Sequence, residues 1–207
     1  MRHASSQALF DYWNTRRGPY AATKRSDIDP AAIRHILADT IIVQIDPVEE
    51  SQFRLAGTRV CALVGREITG EAFLPFWHSE GEAGLRRALA GVAQGTSGFV
   101  GSAVGLSRAA DRIDLELLLL PLLNADGTCT AAIGVLASMS PTYWLGTHPL
   151  TTLRFGRGRL IGAPAGSRPR RTDAAAAADG VRRIGGFVVY DGGQQGVAPQ
   201  SHPPFAG

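Results

Sequence analysis

The sequence is poor in cysteine, with two in 207 residues. Cys61 and Cys129 lie in apolar segments and lack the close spacing of metal-ligating cysteines. We therefore expect both thiols to be reduced and buried, with no metal bound through them. Such thiols are typical of the cytoplasm, where disulfides are rare.

A long uninterrupted apolar run is also missing. The longest one, residues 115–123, contains Glu116 and falls well below the roughly 20 residues that a membrane-spanning helix needs. Residues 1–9 lack the apolar core of a secretory signal. The sequence therefore predicts a cytoplasmic protein with no membrane span.

An excess of positive charge is absent from most of the chain, although the formal net charge is +3. Residues 1–156 contain 14 Lys or Arg and 15 Asp or Glu, whereas residues 157–183 contain seven Arg and two Asp. Most of the chain is thus nearly neutral and has no basic face of the kind that binds nucleic acid. We predict no nucleic-acid partner.

The length suits one well-buried domain plus a tail. Residues 157–181 are rich in Arg, Ala, Gly and Pro and have few large apolar side chains, so we expect a disordered linker there. The predicted organisation is an N-terminal helix and linker (1–28), the domain (29–156), the disordered linker (157–181), and a C-terminal strand and tail (182–207).

Apolar periodicity and capping residues predict four helices. The first covers residues 7–17, and Asp29-Pro30 starts the second with an N-cap acceptor followed by proline. A short helix over 58–64 and a longer one over 79–94 follow. The first helix carries Leu9, Phe10 and Trp13 on one stripe.

Segments rich in β-branched or alternating apolar residues predict five strands. These are residues 40–45, 53–56, 99–106, 112–122 and 129–139. Asn124-Ala125-Asp126-Gly127 has the turn chemistry of a hairpin between the last two. Two strands, a helical crossover and three further strands indicate an α+β fold with a mainly antiparallel sheet.

Residues 53–73 are the most informative segment of the chain. They predict a short strand, a glycine break, one or two turns of helix, and then Gly65 and Gly70. This arrangement resembles the first half of a PAS domain, the sensory and dimerisation module of signalling proteins.

Further motifs extend this resemblance to a family of bacterial single-domain PAS proteins, over residues 7–155. The motifs are Leu9-Phe10-Asp11-Tyr12-Trp13, residues 25–30, residues 53–61 and Gly65-Arg66-Glu67. Ala38 departs from the family pattern, which favours proline there. The resemblance implies a PAS fold: a five-stranded antiparallel sheet with helices packed on one face, plus an N-terminal flanking helix.

The resemblance also implies a cavity between the short helices and the sheet. The residues that we expect to line it are Val60, Cys61, Val64, Trp77, Leu89, Leu117 and Val135. Because most of these side chains are aliphatic, a ligand there would be a small apolar molecule. The sequence leaves the identity of any cofactor unknown.

Three more specific sites are disfavoured by the residues present. Cys61 is followed by Ala62 and Val64, where light-sensing PAS relatives have the polar partners of a flavin. His35 and His78 each lack a second haem ligand nearby in the sequence. Arg108 and Asp111 match a short phosphate-binding pattern that arises often by chance, and we interpret them as a polar hairpin tip.

The sequence contains no evident nucleophile–base pair or paired carboxylates. We therefore predict a non-enzymatic PAS regulatory protein that acts by ligand sensing, by protein contact, or by both. We expect a homodimer through Leu9, Phe10 and Trp13, with a signalling protein as partner. The alternative is a nucleotide- or chromophore-binding effector or an enzyme.

Overall fold

The computed structural model describes residues 1–141, 147–162, 181–184 and 187–190. Three helices are present in this part of the chain: α1 (Ala4–Arg17), α2 (Thr58–Val64) and α3 (Ser79–Ala93). The short helix matches its predicted bounds. The first helix begins three residues earlier than predicted, because the His3 side chain caps it by accepting from the Ser5 amide.

Seven strands form one sheet in the order β3-β2-β6-β5-β4-β7, with β1 added beside β5. The strands are β1 (Thr23–Lys24), β2 (Thr40–Gln44), β3 (Gln52–Ala56), β4 (Ser97–Ser107), β5 (Arg112–Leu123), β6 (Cys129–Ser138) and β7 (Leu150–Gly162). The neighbours along this order are antiparallel, whereas β1 runs parallel to β5. The five predicted strands are all present, and β1 and β7 enlarge the sheet.

The two faces of the sheet are covered by different helices. Successive residues of β5 point to opposite faces, and paired residues of antiparallel strands point to the same face. Glu116 accepts hydrogen bonds from the Arg2 and His3 amides, so α1 begins on its face, which we call the outer face. Cys129 lies under α3, with its sulfur 3.5 Å from the Val92 carbonyl oxygen, on the opposite or inner face.

The apolar stripe of α1 packs within its own chain. Leu9 is 0% and Trp13 is 2% exposed, and the Trp13 indole donates to the Pro121 carbonyl at 2.9 Å. Phe10 is partly buried, with its ring centroid 6.2 Å from that of Trp13. The prediction that Leu9 and Trp13 are exposed for a dimer contact was therefore wrong. These side chains cover the outer face of the sheet instead.

Residues 29–37 were predicted as a helix and form a series of turns. Asp29 accepts from the Ala31 amide at 2.9 Å, as expected of an N-cap. The backbone bonds that follow join residues three apart, such as Ile36 to Ile33 at 2.9 Å, and a short 3-10 helix, Leu37–Asp39, comes next. Ile33 and Ile36 are both buried, and a spacing of three places them on one side of the tighter turn.

The C-terminal part of the chain differs from the prediction in two ways. Strand β7 continues to Gly162, so the prediction of a linker from residue 157 was wrong for residues 157–162, while 163–180 lie outside the described residues. The single strand predicted after 182 is instead an antiparallel pair, β8 (Val181–Ile184) and β9 (Phe187–Tyr190). In the sequence, Gly185-Gly186 separates the two, a dipeptide that favours hairpins.

We expect Trp13→Ala to lower the free energy of unfolding by about 3–5 kcal/mol, because it empties a buried site and removes the bond to Pro121. Urea unfolding followed by fluorescence or circular dichroism measures the change. Gln7→Ala, on the exposed side of α1, is the control and should stay within about 0.5 kcal/mol of wild type. An equally small effect of Trp13→Ala would contradict the packing of α1 described here.

Candidate functional site

The structure places the seven predicted pocket residues in different surroundings. Val60, Leu89, Leu117 and Val135 are fully buried, and Trp77 is nearly so. Cys61 and Val64 are half-buried on α2.

Leu117 and Val135 do not share a face of the sheet. Leu117 pairs with Leu136, and Val135 pairs with Leu118, which points to the outer face. The prediction that Val135 lines a pocket together with Leu117 was therefore wrong.

Six aromatic side chains fill much of the space on the inner face. The ring centroids of Phe53 and Phe73 are 5.0 Å apart, those of Phe73 and Trp77 are 5.9 Å apart, and those of Trp77 and Phe155 are 6.4 Å apart. Most of these contacts are edge-to-face, the geometry that aromatic pairs prefer. We call this set the aromatic cluster: Phe53, Phe73, Phe76, Trp77, Phe99 and Phe155.

The sequence-based prediction of the pocket included only Trp77 of this cluster. The spacing of Phe73, Phe76 and Trp77 was a usable signal, because residues three and four apart come close in turns and helices. The Trp77 indole N–H has no hydrogen-bond partner among the described residues. A molecule bound at this cluster would therefore find one buried donor.

Neither cysteine is activated as a nucleophile. Burial raises the pKa of the Cys61 thiol, which lies 3.5 Å from the Glu67 carboxylate and 3.8 Å from the Ala56 carbonyl oxygen. Burial raises the pKa of Cys129 to about 11. Both thiols therefore stay protonated at neutral pH, whereas catalytic cysteines react as thiolates.

The two histidines considered as haem ligands have different surroundings. His78 caps α3 by accepting from the Glu80 amide at 3.5 Å, and His35 lies on the surface. Across residues 1–141 and 147–162, no cluster of three or more His, Cys, Asp or Glu side chains is arranged to hold a metal ion.

Strands β4, β5 and β7 extend beyond the cover of α1 and leave a groove of about 570 Å³ on the outer face. Its lining combines apolar and charged side chains, among them Val100, Val104, Arg112, Asp114, Arg157 and Arg159. Arg112 and Asp114 form an exposed ion pair at 3.2 Å. We call this the outer-face groove. Sequence reasoning missed it, because the prediction of disorder from residue 157 removed one of its walls.

Every helix within the described ranges is too short or too polar to serve as a membrane span.

Comparison with known proteins agrees with this architecture. A PAS domain family model matches residues 1–137, which is more than half of the chain. The chain belongs to the PAS domain family. The PAS fold predicted from the sequence is confirmed, and membership of this family is consistent with a sensory or regulatory role in signalling. The match includes α1, as expected of a helix that completes the core of the domain.

Several solved structures resemble the PAS domain of this chain in fold alone. A light-oxygen-voltage domain studied with a flavin analogue is 13% identical, with 55% of this chain and 85% of that chain covered and a TM-score of 0.42. The PAS-B domain of Cycle from Drosophila melanogaster, with bound ethylene glycol, is 16% identical, with coverages of 48% and 98% and a TM-score of 0.40. The LOV protein of Rhodobacter sphaeroides is 13% identical, with coverages of 56% and 71% and a TM-score of 0.41. No curated protein matches the chain.

The packing of the inner core can be tested by enlarging Val60. We expect Val60→Phe to lower the free energy of unfolding by about 1–3 kcal/mol, because a fully buried site has no room for the larger ring. Val64→Phe is the matched control and should be well tolerated, since Val64 is half-buried beside a surface cavity. Urea unfolding midpoints measure both effects. An unchanged or higher midpoint for Val60→Phe would reveal an internal cavity instead.

Proposed function

We propose that this chain is a non-enzymatic PAS regulatory protein that acts mainly through protein contact on the outer face of its sheet. The observation that carries the proposal is the contrast between the two faces. The aromatic cluster fills much of the inner face, whereas the outer-face groove stays open beside α1. Of the seven residues predicted to line a core pocket, Val64 alone lines one of the cavities described here, and that cavity is on the surface.

The occupant of the groove that we propose is a second copy of the chain. In a two-fold symmetric contact the same patch meets itself, so the charged groups in it find opposite partners only if both signs are present. Asp114 supplies a carboxylate, whereas Arg157 and Arg159 have none within ion-pairing distance among the described residues. A two-fold axis through the groove brings the arginines of one copy toward Asp114 of the other.

The homodimer expected from the sequence is retained, but its proposed contact lies at the outer-face groove and not at Leu9 and Trp13. Leu9 and Trp13 are buried inside the chain and have no free surface to offer. Met1 and Arg2, which precede α1, reach the rim of the groove. The residues that precede α1 thus contribute to the proposed contact. A signalling protein remains the proposed partner of the dimer.

The second candidate function is a ligand-binding effector, for which a small apolar molecule or a chromophore would enter the aromatic cluster. The observation that favours it is the unpartnered indole N–H of Trp77. The absorbance spectrum and native mass of the purified protein distinguish the two candidates. A stoichiometric chromophore or nucleotide would support the effector, and a protein mass without one would support action by contact.

We expect Val104→Arg to weaken the homodimer at least about tenfold, because the larger side chain intrudes on the patch that meets itself. It also lies opposite Asp114 on β5, where it would compete with the arginines of the other copy. Sedimentation velocity over a range of concentrations measures the dissociation constant. Leu55→Arg is the matched control, since Leu55 is 40% exposed on the same face but on β3, at the far edge of the sheet.

Two results would contradict this proposal. A wild-type chain that stays monomeric at all concentrations would exclude the homodimer. A dimer that both variants weaken equally, or that neither affects, would place the contact outside the groove.

A further inference from the structure

Three distant segments meet at the end of the sheet and enclose a second cavity, of about 640 Å³. They are the residues that follow α2, the turn between β4 and β5, and the residues that lead into β7. The polar side chains that line the cavity are Arg66, Arg108, Thr147, His148 and Thr151. We call this cavity the turn cavity.

Close packing of Pro149 on Gly65 brings two of the segments together. Gly65 ends α2 with a φ of +70°, and a Cβ atom there would lie 2.6 Å from Pro149 Cγ. Glycine at this position therefore allows both the left-handed backbone and the close contact with Pro149. Because of this contact, Thr147 and His148 line the same cavity as Arg66.

Hydrogen bonds brace the third segment. Asp111 Oδ2 accepts from the Ser107 hydroxyl at 2.9 Å and lies 3.0 Å from His148 Nδ1. Ser107 Oγ in turn accepts from the Ala109 amide at 3.1 Å and the Asp111 amide at 3.2 Å. This network holds the turn in shape, including Ala110 at a φ of +63°. It also orients the imidazole of His148 at the cavity.

The charge of the lining is of one sign. It contains two guanidinium groups, an imidazole and two hydroxyls, and it contains no carboxylate. Arg66 pairs with Glu71, whereas Arg108 has no carboxylate within ion-pairing distance in the described part of the chain. The turn cavity therefore presents donors that suit an anion.

We propose that the turn cavity binds a phosphorylated small molecule. The lining offers more hydrogen-bond donors than the two oxygens of a carboxylate can accept, and a phosphate monoester supplies three oxygens and up to two negative charges. The volume falls within the range of small-molecule sites, and Val64 and Leu150 provide apolar surface for the rest of the ligand.

This site differs from the phosphate-binding pattern considered for Arg108 and Asp111 in the sequence. In that pattern both residues grip the ligand, whereas Asp111 here is bonded to Ser107 and His148. The site also stands apart from the outer-face groove and does not depend on the homodimer.

Isothermal titration calorimetry of the full chain with inorganic pyrophosphate tests the proposal. We expect saturable binding by wild type, a loss of affinity of about tenfold for Arg108→Ala, and a similar loss for His148→Ala. The matched control is Arg87→Ala, which removes an exposed arginine of α3 that has no ion pair among the described residues. It should bind like wild type.

A second arm separates a free phosphate compound from a lipid headgroup. Vesicles of phosphatidylcholine with phosphatidic acid, which carries a phosphate monoester, are compared with phosphatidylcholine alone. Binding of the vesicles that is lost in Arg108→Ala supports the site with a lipid source, and binding of pyrophosphate alone supports it with a soluble source. Absence of both pyrophosphate and vesicle binding in wild type, or equal weakening by Arg108→Ala and Arg87→Ala, overturns the proposal.

Discussion

Burial of both faces of β5 is the constraint on which the rest of the domain depends. From Leu115 to Leu123 every residue of this strand is buried, so it reads as a continuous apolar run and not as the alternating pattern of a half-exposed strand. The sheet consequently needs a cover on each side. Helix α3 and the aromatic cluster supply it on the inner face, and α1 supplies it on the outer face. The N-terminal helix is for this reason part of the core and not an accessory to it.

Two buried carboxylates complete the attachment of α1. Glu116, in the middle of the apolar run, accepts from the Arg2 and His3 amides at 2.7 and 3.1 Å. Asp39 accepts from the Ser5 hydroxyl at 2.6 Å and pairs with Arg59 of α2 at 2.8 Å. A buried acid is tolerated only when it is paired or hydrogen-bonded. Glu116 therefore depends on the amides at the start of α1, whereas Asp39 is held by Ser5 of α1 and Arg59 of α2 together. Through the two oxygens of the Asp39 carboxylate, α1 and α2 are linked to each other.

The sequence was a good guide where a pattern is local. The bounds of α2 and the positions of the five main strands followed from periodicity and turn residues. The stripe of Leu9 and Trp13 was also visible, but periodicity shows only that a stripe must be covered and not which surface covers it. The surface that α1 covers is formed by residues more than 100 positions away in the sequence. The sequence of the helix therefore contains no local signal that identifies it.

The error at Val135 has a different cause. The register of β5 and β6 shifts by one residue between Leu122 and Leu123. Without that bulge, Val135 would pair with Leu117 on the inner face, as a pocket shared by both residues requires. Because the side chains of a strand alternate, one extra residue in β6 moves every later side chain of that strand to the opposite face of the sheet. A bulge of this kind depends on how two strands pack in three dimensions, so the sequence of either strand alone does not reveal it.

Strand β4 connects the two candidate sites. Val104 of β4 lines the outer-face groove, and β4 runs directly into the turn that carries Arg108. Neither site could be found from one stretch of sequence: the turn cavity draws on residues from Val64 to Thr151, and the groove draws on both ends of the domain. A ligand that holds the turn acts on the end of a strand whose middle borders the groove. Any such effect on contact at the groove must be reciprocal, so that a partner in the groove alters the affinity of the turn cavity by the same factor.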